Sequence, residues 1–176
     1  MKNTGFAILF LVLAFTAAAH GQEPKWTDYT SKDMQFTVSF PDVPQVTTTY
    51  LDEKQGNQHS FVVGTEDRAY MVMVFDGPAF AGPYTDAELK TKYDLAQNGG
   101  LEKLPGAHLI SQRDLKIGGL AAREIVADND QYFAITRYIL ARKRIYGIIT
   151  LVSKPLETDT AIKKTMTKFL DSFRFN

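Results

Sequence analysis

Ala69-Tyr70-Met71-Val72-Met73-Val74-Phe75 is apolar at every position, with no charge and no alternation. Arg144-Ile145-Tyr146-Gly147-Ile148-Ile149-Thr150-Leu151-Val152 repeats the pattern near the other end of the chain. Runs this short and this rich in β-branched residues read as strands covered on both faces. A sheet with such strands at its centre needs a layer on each side, and the rest of the sequence must supply both layers.

Outward from the first run, the chain is punctuated strand by strand. Gln35–Phe40 alternates, with Phe36, Val38 and Phe40 on one face and Gln35, Thr37 and Ser39 on the other. Pro41 and Pro44 end it, since proline donates nothing to a ladder. Gln45–Leu51 and His59–Thr65 follow as strands around the polar turn 52–57. Outward from the second run, Leu109–Ile117, Leu120–Ala127, Gln131–Ala141 and Arg144–Val152 are separated by Gly118-Gly119, Asp128-Asn129-Asp130 and Arg142-Lys143. Connections this short force antiparallel neighbours.

Two helices fit the covering role. Thr85-Asp86-Ala87-Glu88 has the spacing of a capping box, and Leu89, Tyr93 and Ala96 follow at helical intervals. Asn98-Gly99-Gly100 is the expected stop. From about Asp159 to Phe173, Ile162, Met166, Phe169, Leu170 and Phe173 form one apolar stripe, with Lys163, Lys164, Thr167 and Lys168 opposite. The expected fold is α+β, a largely antiparallel sheet between helical layers.

The first residues set the compartment. Lys2 precedes the unbroken apolar run Phe6–Phe15, and small residues close the segment at Ala17-Ala18-Ala19-His20-Gly21. This is the form of a secretory signal; residues 1–21 are expected to be removed, with cleavage before Gln22. Phe6–Ala19 is fourteen residues, short of the roughly 20 a spanning helix needs, so no stable membrane anchor is expected after cleavage. The mature chain, residues 22–176, is expected to be one globular domain, periplasmic or secreted. It has no cysteine, so it depends on its core alone. The signal removes one of 20 basic residues against 20 acidic ones, leaving 19 and 20; that balance speaks against a nucleic-acid partner.

Trp26-x-x-Tyr29, Phe36 leading to Phe40-Pro41-x-x-Pro44, the hairpin-rich second half and Phe169-Leu170-Asp171-Ser172-Phe173 together resemble small exported bacterial proteins of the PsbP-like (Mog1/PsbP) fold group. The resemblance covers nearly the whole mature chain. It implies an α-β-α sandwich around an antiparallel sheet. Plant PsbP serves the oxygen-evolving complex and Mog1 binds a nuclear GTPase, so the group implies binding roles with unrelated partners. No functional residue carries over, since one fold hosts many functions.

The search for chemistry yields little. His59 and His108 are isolated from one another and from any cysteine, whereas a zinc site takes three or four ligands; no metal and no cofactor is expected. Ser39, Ser60, Ser111 and Ser153 lack the shaped turn of a serine nucleophile. Asp128-Asn129-Asp130 continues as Gln131-Tyr132-Phe133 and not as a calcium loop. Gly99, Gly100 and Gly106 follow a helix and form no phosphate loop. Arg137, Arg142, Lys143 and Arg144 cluster at one hairpin tip, a solvated charged end that Glu124 partly neutralises. The uncharged segment Gly77-Pro78-Ala79-Phe80-Ala81-Gly82-Pro83-Tyr84 is the candidate contact loop, through Phe80 and Tyr84; the plain alternative is that both fold back as a plug over the sheet. The leading expectation is a non-enzymatic binding or accessory domain whose partner is an envelope or secreted protein. The alternatives are a carrier that holds a small apolar ligand between sheet and helix, and an enzyme whose site assembles only in space.

Overall fold

The structure, a computed structural model, describes residues 25–176. The expected export signal and its cleavage point lie outside the described residues. Among those described, the chain runs β1 (Thr27–Ser31), β2 (Phe36–Phe40), β3 (Gln45–Asp52), β4 (Gly56–Gly64), β5 (Arg68–Phe75), α1 (Asp86–Glu102), β6 (His108–Ile117), β7 (Leu120–Asp128), β8 (Tyr132–Ala141), β9 (Arg144–Ser153), α2 (Thr160–Ser172) and β10 (Arg174–Phe175).

Seven strands form one antiparallel sheet in the order β3-β4-β5-β9-β8-β7-β6. The two apolar runs, β5 and β9, lie side by side near its middle, with Val72 opposite Ile148. Strand periodicity divides their side chains cleanly. Tyr70, Val72, Val74, Tyr146 and Ile148 point to one layer; Ala69, Met71, Met73, Phe75, Ile145 and Ile149 point to the other. The protein is α+β, its main sheet lying between two layers.

The α1 side is a single helix, together with the short 78–80 turn that seats Phe80. The other side is shared by α2 and a small second sheet, β1-β2-β10. There the aromatics of the PsbP-like resemblance converge. Tyr29 meets Phe40 and Phe61, Phe36 stacks on Phe173 at 5.6 Å, and Phe40 meets Phe169 at 5.1 Å. Trp26 stands edge-on to Tyr70 at 5.3 Å, with the Lys168 ammonium over its face. Phe36, Val38, Phe40 and Phe169 have no exposed surface; each such phenylalanine contributes about 2–3 kcal/mol by leaving water.

Three local features depart from the sequence reading. β1 escaped it because Thr-Asp-Tyr-Thr-Ser is short and polar, and what holds it as a strand is its pairing with β2. The two-residue β10 is held by the same strand. α1 does not stop at Asn98-Gly99-Gly100 but continues to Glu102, because Gly100 serves helix-to-sheet packing there and not termination. The capping box is present as read: the Thr85 hydroxyl accepts from the Glu88 amide, and Glu88 accepts from the Thr85 amide. Gly118 and Gly119 both have positive φ, 58° and 82°, the backbone a two-residue hairpin turn needs.

Candidate binding site

On the α1 side the strand register sets out rows of side chains. One row crosses Leu109, Ala127, Ala134, Leu151 and Ala69; the next crosses Ile125, Thr136, Ile149 and Met71; a third crosses Arg123, Tyr138, Gly147 and Met73. α1 is pinned over this face at Tyr93, whose hydroxyl donates to the Ala121 carbonyl at 2.7 Å and accepts from the Leu140 amide. Two turns on, Gly100 lies against Tyr138: a Cβ at position 100 would stand 2.4 Å from the phenol oxygen. Leu101 and Leu104 then descend towards the first two rows.

The helix and sheet do not close fully there. Residues 127 and 134, directly opposed, are both alanine, and position 100 has no side chain. A cleft of about 40 Å³ remains between the C-terminal turn of α1 and β7–β9. None of its lining residues is charged. Thr136 and Tyr138 are the hydroxyl-bearing members of its wall, 7% and 5% exposed. Burial pushes the Tyr138 phenol well above its ordinary pKa, with no hydrogen bond to offset it. At neutral pH Tyr138 keeps its proton.

Charged residues organise the β6–β8 end of the sheet on both faces. Away from α1, Glu124 is 7% exposed and accepts from Arg113 and Arg137 at 2.7 Å each, while Arg137 also reaches Asp171 of α2 at 2.7 Å. On the α1 side Arg123, 3% exposed, pairs with Asp94 at 2.5 Å and Asp114 at 3.0 Å and lies over the Tyr93 ring. The hydrogen bonds from Arg123 and Lys90 hold the Asp94 carboxyl below its usual pKa. Beyond this lattice, β6 is the outer strand, paired only with β7 among the described residues. Leu109 and Ile110 stand 40% and 54% exposed on it, and a bulge interrupts the ladder at Ile110.

The residues singled out from sequence fall in different places. Phe80 is 2% exposed, packed against Phe75 within the α1-side core. Tyr84 is half-buried and donates to the Ala79 carbonyl, which also accepts from Lys92 at 2.8 Å. The fully exposed residues of that segment are Pro78, Ala81 and Pro83. Arg142 and Arg144 are structural: Arg142 donates to the main-chain oxygens of Gln35 and Asn176, Arg144 to that of Asp33. Asn129 caps its own hairpin, accepting from the Gln131 and Tyr132 amides, and Asp128 pairs with Lys154.

His59 lies between Asp76, 3.1 Å from Nε2, and the Thr48 hydroxyl, 3.0 Å from Nδ1. Although burial opposes it, the Asn57 amide and His59 hold the Asp76 carboxyl low. This relay ties β3, β4 and the end of β5 together, and none of its members lines the cleft. His108 is 80% exposed. Among the described residues no group of three His, Asp or Glu side chains is placed to hold a metal ion.

Tyr138 and Thr136 were not legible as site residues, because in sequence they are ordinary members of a strand. The signal available was Gly99-Gly100, which marks a place where a helix gives up a side chain.

Comparison with protein-family models finds no match, and neither does comparison with curated proteins. Among solved structures the chain is similar to cyanobacterial PsbP (CyanoP) from Synechocystis sp. PCC 6803, at a TM-score of 0.58 and 10% identity, over 92% of this chain and 98% of that one. The fold is PsbP-like. Weaker likenesses are to a Pseudomonas aeruginosa protein of unknown function, PA94, a putative regulator (TM-score 0.42, 18% identity, 80% of this chain and 93% of that one), and to the immunity protein TplEi of T6SS from Pseudomonas aeruginosa, solved with a peptide (TM-score 0.41, 14% identity, 80% and 58%). Among the described residues no helix is long and apolar enough to cross a membrane.

Proposed function

We propose that the mature chain, residues 22–176, is an exported, non-enzymatic binding domain that associates with another envelope or secreted protein. The observation that carries this reading is the outer edge of β6. A free strand edge presents unpaired amides and carbonyls that accept an added strand. Charges and bulges normally blunt such edges, and the far half of β6 has Arg113, Asp114 and Lys116. The near half, Leu109-Ile110-Ser111-Gln112, is bulged at Ile110 but has no charge and two exposed aliphatic side chains. The partner this fits is an extended, mainly apolar segment of another exported protein, laid along the near half of β6. Tyr84, half-exposed beside Pro83, is the second candidate contact, retained from the loop singled out in the sequence.

Site-specific photo-crosslinking decides between them. A photoreactive residue is placed at 110 or at 84 in the tagged protein, which is expressed in its native host, irradiated, and analysed by mass spectrometry of envelope and culture fluid. One partner crosslinked from position 110, and lost in Ile110→Lys, is the expected result. Crosslinks from 84 alone move the contact to the loop. No specific crosslink from either position overturns the association reading.

A further inference from the structure

The cleft under α1 does not depend on that reading and has a different chemistry. Its walls are aliphatic apart from Thr136 and Tyr138, and three of its positions, Gly100, Ala127 and Ala134, have the smallest side chains available. Two adjacent glycines within a helix cost about 1 kcal/mol each relative to alanine. At position 100 the missing side chain leaves room for the phenol oxygen of Tyr138, and so keeps a hydroxyl-bearing ring in a cleft wall that is otherwise aliphatic apart from Thr136. The hydroxyl makes no hydrogen bond within the described residues and is not sealed from solvent, so its donor is open to a ligand in the cleft.

We infer that the cleft between the C-terminal turn of α1 and β7–β9 seats one end of a small neutral molecule bearing a carbonyl group, with Tyr138 donating to the carbonyl oxygen. Neutrality follows from the walls: an anion placed there has no cation to pair with, and burying an unpaired charge is strongly unfavourable. Partial seating follows from size, since about 40 Å³ is far below the roughly 300–1,000 Å³ of a site that encloses a whole drug-sized ligand. The remainder of the molecule lies over the Ala127–Ala134 row towards Leu109, which faces the same side and is partly exposed.

Three probes on one ring test this: cyclopentanone, cyclopentane and cyclopentanecarboxylate, each titrated into the ¹⁵N-labelled protein and followed through its amide resonances. The ketone is expected to shift Gly100, Ala127 and Ala134 saturably. The hydrocarbon is expected to bind at least about tenfold more weakly at the same amides, and the carboxylate not to saturate them. Tyr138→Phe keeps the ring and removes the donor; it is expected to weaken the ketone about tenfold, equivalent to about 1.4 kcal/mol, and to leave the hydrocarbon unchanged. Shifts that are absent or scattered over the surface overturn the proposal, as does equal binding of the carboxylate or a Tyr138→Phe titration identical to wild type. Ala134→Leu, which fills the gap, is expected to abolish both binders while the remaining resonances hold their positions.

Discussion

At the scale of single residues, Glu124 is a buried charge held from both sides. It lies almost wholly out of water between two guanidinium groups, one of which also joins β8 to α2 through Asp171. Removing one member of a buried, hydrogen-bonded charge set leaves the others short of a partner, typically at 3–5 kcal/mol. Arg137 keeps Asp171, so the loss in Glu124→Gln is expected at about 2–4 kcal/mol by urea unfolding at pH 7. A Glu124→Gln protein within about 0.5 kcal/mol of wild type would show that the ladder does not act as a unit. The sequence placed Glu124 near the arginines but assigned all of them to one solvated tip. It could not separate Arg137, inside the sheet ladder, from Arg142 and Arg144, which hold the β1–β2 turn and Asn176, because only the register decides which face each side chain takes.

At the scale of elements, α1 shows most plainly where local rules yield to packing. Alanine is a better helix former than glycine by about 1 kcal/mol, yet Gly100→Ala is expected to destabilise by about 1–3 kcal/mol, as overpacked interiors do. In the Tyr138→Phe background the sign is expected to reverse. The nearest remaining ring atom lies 3.7 Å from the added Cβ, an ordinary contact, so the helix recovers its propensity. The coupling from a double-mutant cycle in thermal or urea unfolding checks this; additive effects would mean that the phenol oxygen is not the obstacle. The same feature explains what was and was not legible. Strand order within each meander, the cap at Thr85 and the α2 stripe follow from neighbours in sequence. The path of α1 past Gly99-Gly100, the inward turn of Phe80 and the cleft itself depend on residues that meet only after the sheet has formed.

At the scale of the whole molecule, the seven-stranded sheet is two meanders joined along one line. β3, β4 and β5 follow one another through short turns, as do β6, β7, β8 and β9, and every pairing but one is between neighbours in sequence. The exception is β5 with β9, where Val72 faces Ile148, 76 positions later (148 minus 72). That seam runs through the most deeply buried part of the protein, and its closure must first restrict a long intervening chain, a cost that rises with the logarithm of its length. Each meander has the local contacts to begin assembling alone; the β5–β9 register has none. In kinetic terms the seam is then the late event. Tyr138→Ala or Ala141→Gly in the β8–β9 hairpin is expected to slow refolding, while Val72→Ala and Ile148→Ala are expected chiefly to speed unfolding. Chevron plots with φ values near zero in the hairpin and near one at the seam would reverse that order. Until its last strands have been made and have found β5, the amino-terminal half holds an open edge of Tyr70, Val72 and Val74, so the time this chain spends vulnerable to aggregation is set by the arrival of β9.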